Sequence, residues 1–331
     1  VNIPVAELQK RVSSHFSRLG LSPEHAAQVA EVILEAETEG NAGHGLSRIA
    51  QYTAQLQARG LNAQPKLRLE RPKPGVVILH ADGAPGPVAG LRAVLELTSL
   101  AKEQGSATIA VRNAGHSGVL SAYVGRLARQ GLVGLAFANT PPALAPGPVL
   151  GTNPVALGAP ADPEPVIIDT SLSVVARGKI INAAKRGEPI PEGWALDQSG
   201  NPTTDAKAAL AGSLIPIGGG KGFALAVLVE LLAGALAGDI LSPELPFPWS
   251  PPEQTAKPGL LLVAFDPAAF GGGYGARAAQ LVQALEAAGA RIPGTRRATL
   301  RAKAMREGVF INETLLEELG RLEIDLKGGM A

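Results

Sequence analysis

No cysteine occurs among the 331 residues. That excludes disulfide staples, thiolate zinc sites, iron–sulfur ligation and thiol nucleophiles together, and it suits a reducing compartment. A chain of this length buries enough surface to fold without staples, and two compact units are expected. An excess of one charge is also missing, with 30 Lys and Arg against 29 Asp and Glu, a net +1. Such a balance gives no overall attraction to nucleic acid or to an anionic membrane. The longest apolar run, residues 223–237, is broken by Glu230 and Gly234. It falls short of the roughly 20 residues that span a bilayer, so a buried helix is expected and no membrane partner. The opening stretch VNIPVAELQKRVSSHF has no apolar segment behind a basic one, which argues against a secretory signal. The expected location is the cytoplasm.

The first sixty residues read as helices. Residues 5–19 carry apolar positions at helical spacing, and Gly20 stops them. Ser22-Pro23-Glu24 is a start signal of hydroxyl N-cap, N1 proline and first-turn acid. A second helix is expected to residue 39 and, after glycines at 40, 43 and 45, a third over 46–59. From Gly75 the texture alternates. Strands are expected at 76–80, 106–111, 132–138, 165–170 and 260–265. Helices are expected at 88–103, 120–130, 174–185, 221–237, 277–288 and 313–324, and a proline-rich surface loop at 242–254. This alternation predicts an α/β domain with a covered sheet.

A Rossmann fingerprint is lacking too, since the turn after residues 76–80 is ADGAPGPVAG rather than G-x-G-x-x-G. Gly271, Gly273 and Ala276 match the spacing late in the chain, where a surface loop explains them. GGGKG at 218–222 is half a phosphate loop without its Ser or Thr. Free N–H groups there can grip a phosphate, although glycine clusters also mark tight turns. Among five histidines, His15 and His25 lie on amphipathic helices and His80 ends a strand. His44 (NAGHGLSR) and His116 (RNAGHSG) are flanked by glycine, which permits close backbone approach to a ligand. Arg48 follows His44 by four positions, one helical face. A guanidinium holds a carboxylate bidentately, and an imidazole beside it can protonate a carbonyl oxygen. An ordinary polar helix face explains the same spacing. No histidine has metal-ligand spacing to a partner.

Seven blocks then occur in order: GHGLSRIAQY (43–52), VRNAGHSG (111–118), LGTNPVALGAPA (150–161), IIDTSLSVVARGKI (167–180), IPEGWALDQSGNPTTD (190–205), GGKGFALAVLVELLAGALAG (219–238) and IPGTRRA (292–298). Across essentially the whole chain this resembles the type 2 malate/L-lactate dehydrogenase family. That family also includes ureidoglycolate, sulfolactate and diketogulonate dehydrogenases and cyclic ketimine reductases. The resemblance implies an α/β (α+β) fold peculiar to the family, not a Rossmann fold, with a mixed sheet and helical ends. Residues 1–72 with 292–331 would form a helical substrate and dimerisation region, and 73–291 the nicotinamide-binding region of a homodimer. The implied reaction is hydride transfer between NAD or NADP and a small 2-oxo or 2-hydroxy acid. Reduction of cyclic ketimine acids, or nucleotide binding without turnover, are the alternatives.

By resemblance His44 is the proton donor, Arg48 binds the substrate carboxylate and Thr152 contacts the substrate. Asp197 would orient His44. His116, Ser117, Gly118 and Leu120 would line the cofactor with Asp169, Thr170 and Ser171. Gly220 and Lys221 would lie near its phosphates and Gly294 at its far end, and no metal is implied. Tyr52 fits either the site or the core. Two departures stand out. Many relatives carry Ser or Thr where Gly43 precedes the histidine, and the usual Pro-Gly-Glu is here Pro293-Gly294-Thr295. The first removes a hydroxyl relay, and the second alters the charge beside the cofactor.

Overall fold

The computed structural model describes residues 1–238, 240–247, 250–324 and 326. A short β1 (Asn2–Ile3) leads into α1 (Val5–Arg18). Leu8, Val12 and Phe16 on α1 are buried with His15, as their three- and four-residue spacing requires. In α2 (Pro23–Thr38) the Ser22 hydroxyl accepts the His25 N–H at 3.2 Å, so the N-cap reading holds. The third expected helix divides into two 3₁₀ turns, Ala42–His44 and Leu46–Arg48, before α3 (Ile49–Gln57).

Seven strands build the main sheet. They are β2 (Arg68–Lys73), β3 (Val76–His80), β4 (Ser106–Arg112), β5 (Val133–Ala138), β6 (Val155–Ala159), β7 (Val166–Thr170) and a late strand, Leu260–Phe265. Helix α4 (Gly86–Gln104) crosses from β3 to β4, the one parallel pair, and α5 (Ser121–Arg129) precedes β5. After β7 come α6 (Arg177–Arg186), β8 (Ala195–Leu196), β9 (Pro202–Thr203), α7 (Ala206–Ala211), β10 (Ser213–Leu214) and α8 (Gly220–Val229). The late strand is therefore β11. It lies antiparallel between β4 and β5, giving the order β2-β3-β4-β11-β5-β6-β7. A mixed sheet with an antiparallel centre is not doubly wound, which accounts for the missing Rossmann fingerprint. The chain ends in α9 (Tyr274–Ala287), α10 (Thr295–Glu307), β12 (Val309–Phe310) and α11 (Glu313–Arg321), and β12 pairs with β1.

Four apolar clusters form among the described residues, two of them large. The larger runs from Leu8 and Phe16 through Leu79, Ile109 and Leu262 to Leu319, so the terminal helices and the sheet share it. The smaller joins Leu144, Leu172, Ile180, Leu214 and Val229.

Three expected elements shift. The helix expected at 174–185 begins at Arg177, because the Val174 N–H donates to Ile215 O at 2.8 Å and keeps the chain extended. The apolar helix expected to be buried is α8 continued by a π-helix, Glu230–Leu236. Ala226, Val229 and Ala233 face inward, while Leu225, Leu228, Leu231 and Leu236 remain 46–62% exposed. Both sides are apolar and one chain covers only one of them. The proline-rich loop is partly internal, with Ser242 and Leu245 buried; residues 248 and 249 of it lie outside the described ones. Among the described residues no helix is long and apolar enough to cross a membrane.

Candidate active site

His44 and Arg48 are held by backbone folding rather than by one helix. Gly45, at φ −91° and ψ −137°, breaks the helix between the two 3₁₀ turns. The Leu46 N–H that follows donates to the Glu37 carboxylate at 2.8 Å, and burial pushes that carboxyl's pKa up. The expected one-face pairing at helical spacing is thus replaced, although the charge of Arg48 still reaches the His44 ring. Arg48 donates from Nε to Gly43 O at 2.7 Å and from Nη1 to Gln51 Oε1 at 2.6 Å. Its Nη2 forms no hydrogen bond among the described residues, leaving an edge of the guanidinium for a ligand.

The His44 ring stacks on that of His116, with centroids 5.3 Å apart and planes 25° from parallel. His116 stands on the loop after β4. The Gly118 N–H donates to its Nδ1 at 3.2 Å, so a neutral ring carries its proton on Nε2. From α3, the Tyr52 hydroxyl donates to His116 O at 3.0 Å and lies 2.8 Å from Nδ1. Tyr52 therefore belongs to the site. The loop passes so close to α4 that a Cβ on Gly86 would stand 2.2 Å from His116 O. Burial first, and Arg48 second, lower the His44 pKa to about 4. The same two causes, joined by His44 itself, hold His116 well below the usual imidazole range. Both rings are neutral at pH 7.

The loop through Ser117, Gly118 and Leu120 carries the chain into α5. Tyr123 donates its hydroxyl to Ser117 O, and the first free N–H of α5, on Ser121, donates to Asp169 Oδ2 at 2.8 Å. Arg297 of α10 donates to Asp169 O at 2.8 Å, and Ile167 N–H donates to Pro293 O at 3.2 Å. Asp169 thus ties the loop after β4, the end of β7 and the Gly294 turn together. Beyond it, Thr170 and Ser171 lead to Leu172, whose N–H donates to Thr152 O at 2.8 Å. The Ile217 N–H donates to Leu172 O at 3.0 Å, which brings the Gly218–Gly219 turn alongside. Both glycines have positive φ, +58° and +62°, with no atom within 4 Å of where a Cβ would stand. They open onto the uncapped start of α8, where Gly220 and Lys221 are exposed.

Among the described residues Asp197 makes no hydrogen bond to His44. Its Oδ1 accepts the Ser199 and Asn201 N–H groups, each at 2.9 Å, in the turn between β8 and β9. The partner of His44 is instead Asn41, whose Oδ1 lies 3.3 Å from Nδ1. An Asx turn explains Asp197 as the sequence places it, in Asp-Gln-Ser-Gly. Gly43 has open space where a side chain would go. The late Gly271–Gly273 run turns left-handed at the exposed start of α9, as expected of a surface loop. Among the described residues no cluster of three or more potential ligands could hold a metal.

A further group was signalled in the sequence only as an interruption. Glu230 is buried on the π-helix and accepts four hydrogen bonds. They come from Asn153 Nδ2 at 2.8 Å, Asn139 Nδ2 at 3.2 Å, and Ser242 N and Oγ at 2.7 and 2.5 Å. Asn153 Oδ1 in turn accepts the Thr140 N–H at 3.1 Å. The carboxylate therefore pins the Thr152–Asn153 turn from behind.

Comparison with known proteins identifies this arrangement. A family model described as malate/L-lactate dehydrogenase matches residues 3–320. The chain belongs to that family. Within the family it is 40% identical over 323 residues to the (2R)-3-sulfolactate dehydrogenase (NADP(+)) of Chromohalobacter salexigens, covering 96% of each chain. It is 37% identical to a Δ1-pyrroline-2-carboxylate/Δ1-piperideine-2-carboxylate reductase of Pseudomonas aeruginosa, over 95% of this chain and 96% of that one. A solved Δ1-piperideine-2-carboxylate reductase of Pseudomonas syringae superposes with a TM-score of 0.91 at 34% identity, covering 97% of this chain and 99% of the other. The expected family and mixed α/β fold stand, and so does the enzyme class of nicotinamide-dependent oxidoreductases acting on small acids.

Proposed function

We propose that the chain reduces a small 2-oxo acid at the His44–Arg48–Thr152 site, using NAD(P)H. The single observation that carries this is the half-buried imidazole of His44 beside a guanidinium with an unused edge. That edge takes the substrate carboxylate as charge-assisted hydrogen bonds, and Thr152, whose carbonyl accepts the Leu172 N–H, would contact the rest of the substrate. With the carboxylate fixed on Arg48, His44 delivers a proton to the carbonyl oxygen and removes it in the reverse direction. Neutralising Arg48 also removes the second cause of the low His44 pKa. Substrate binding therefore prepares the ring to carry the proton it gives. Asn41 fixes the other ring nitrogen. Asp197 has no part in this reading.

The cofactor residues fit their group. Open space lies where Cβ atoms would stand on Gly218 and Gly219, ahead of free N–H groups and Lys221. The segments 116–120, 169–171 and Gly294 are joined through Asp169. These residues would hold the dinucleotide, which when bound supplies the hydride. His116, with its Nδ1 occupied by Gly118, keeps its Nε2–H available to a neutral amide or carbonyl.

A second reading has its own support. A cyclic ketimine acid binds protonated on nitrogen, so it would need no proton from a ring that is neutral at pH 7. The reductase relatives from the two pseudomonads point the same way. Following loss of reduced-nicotinamide absorbance with pyruvate, oxaloacetate, 3-sulfopyruvate and Δ1-piperideine-2-carboxylate decides between the two. Turnover of an oxo acid at least comparable to that of the ketimine is expected; turnover of the ketimine alone would replace the first reading by the second. Binding of the dinucleotide without turnover would leave a nucleotide-binding protein.

We further propose a homodimer formed through the exposed side of α8 and the π-helix, where Leu225, Leu228, Leu231 and Leu236 make a continuous apolar strip. Light scattering on Leu231→Arg should give a monomer; a wild-type monomer would contradict this. The cytoplasm is the proposed location.

A further inference from the structure

A cavity of about 340 Å³ opens between α10, the start of β7 and the outer side of α5. Three guanidinium groups line it, Arg129, Arg297 and Arg301, beside the Gly294 turn. None is fully spent on protein. Arg129 makes no ion pair or hydrogen bond among the described residues. Arg301 comes no nearer to a carboxylate than 3.9 Å, to Glu35. Glu35 is already engaged by Arg126 at 2.7 Å. Arg297 uses Nη2 on Asp169 O, while its buried Nη1 forms no hydrogen bond and stands 3.8 Å from Asp169 Oδ2. Two carboxyls oppose them. Glu164 is exposed on the loop before β7. Glu39 is half-buried next to Glu35; burial first and the Glu35 charge second raise its pKa, and the charges of Arg297, Arg301 and Arg129 offset this only in part. At the first turn of α10, Thr295 brings no further acid and directs its hydroxyl to Ile292 O at 2.9 Å.

The balance favours a doubly charged anion over a neutral diol. A ribose with free hydroxyls needs acceptors, and those are outnumbered; a phosphate monoester needs several donors converging in a fork. The cavity also shares Ser121, Gly294 and Arg297 with the segments that Asp169 ties together. We propose that this cavity receives the 2′-phosphate on the adenosine ribose of NADPH, and that Arg129, Arg297 and Arg301 make the chain select NADPH over NADH. This rests on the cofactor placement proposed above. It assigns the discriminating residues to a place remote from His44, so selection and chemistry are separable.

Isothermal titration of the full chain with NADPH, NADH, adenosine 2′-monophosphate and adenosine 5′-monophosphate tests it without turnover. NADPH should bind at least about tenfold more tightly than NADH, the size of one charge-assisted hydrogen bond. Adenosine 2′-monophosphate should likewise bind better than the 5′ isomer. Arg129→Ala and Arg301→Ala, both on the surface, should each weaken NADPH about tenfold or more and change NADH less than about threefold. Circular dichroism melts confirm that the variants fold, and the two mononucleotides on wild-type protein stand independently of them. NADH binding as tightly as NADPH would overturn the proposal, as would a preference for NADPH that survives both substitutions. Failure of both dinucleotides to bind would overturn the cofactor placement itself, a distinct outcome.

Discussion

Raising the pH from about 5 to about 8 should slow reduction of a 2-oxo acid about tenfold per unit, while the reverse oxidation stays nearly flat. The magnitude follows from the surroundings of His44. Burial and the Arg48 charge hold its pKa at about 4. At pH 7 that is three units below the solution, so about one ring in a thousand carries a proton before substrate arrives. The kcat/KM for the oxo acid, taken at saturating reduced cofactor, reports the enzyme awaiting that substrate. It should therefore track the protonated fraction. In the oxidation direction the base is already free across this range, so no such slope is expected. Arg48→Gln should raise the His44 pKa, because the second cause of its depression is gone, and move the break in the profile upward. The same substitution should raise KM for the acid about a hundredfold or more, since it removes a charged partner from a buried carboxylate site. Initial rates in both directions, with the His44 ring followed by NMR titration, make the test. A reduction profile flat to pH 7, or a ring titrating near 6.5, would refute the reasoning.

Other outcomes follow from the same geometry. Since His44 binds its proton less tightly when folded than when unfolded, its contribution to stability is present above pH 6.5 and lost as pH falls towards 4. The loss is at most about 3 kcal/mol. His116 acts in the same direction, and denaturant melts between those pH values would show it; equal stability at both ends would contradict it. Glu230→Ala strands four buried donors and should cost about 3–5 kcal/mol. Glu230→Gln should cost less while still raising KM for the acid through the Thr152–Asn153 turn. Gly43→Ser should fold unchanged, because nothing lies within 4 Å of the added Cβ. A change in melting of more than about 1 kcal/mol there would show that the open space is misread.

Much of this was legible in the sequence. The start of α2 could be read from Ser22-Pro23-Glu24, and the central strands from their apolar runs. Helix α10 could not, because TRRATLRAKAMRE has no apolar stripe and buries none of its residues fully. Nor could β6, whose VALGA sequence carries little side-chain signal, or the insertion of β11 at the sheet centre, which is set by pairing between distant segments. His44 and Arg48 were found by their glycine surroundings and by resemblance. The helical spacing suggested for them does not survive, since Gly45 separates two 3₁₀ turns. Asp197 and Asn41 show the limit most clearly. Which of the two reaches the imidazole depends on the turn each occupies, and only the fold sets that.

His44→Ala, assayed with the preferred oxo acid at saturating reduced cofactor, addresses the central claim most directly. A positioned acid–base group contributes about 10²–10⁴-fold. Turnover should fall by that factor while the affinity for reduced cofactor, measured by titration, stays within about threefold. A variant that kept more than about a hundredth of wild-type turnover would contradict the role given to His44.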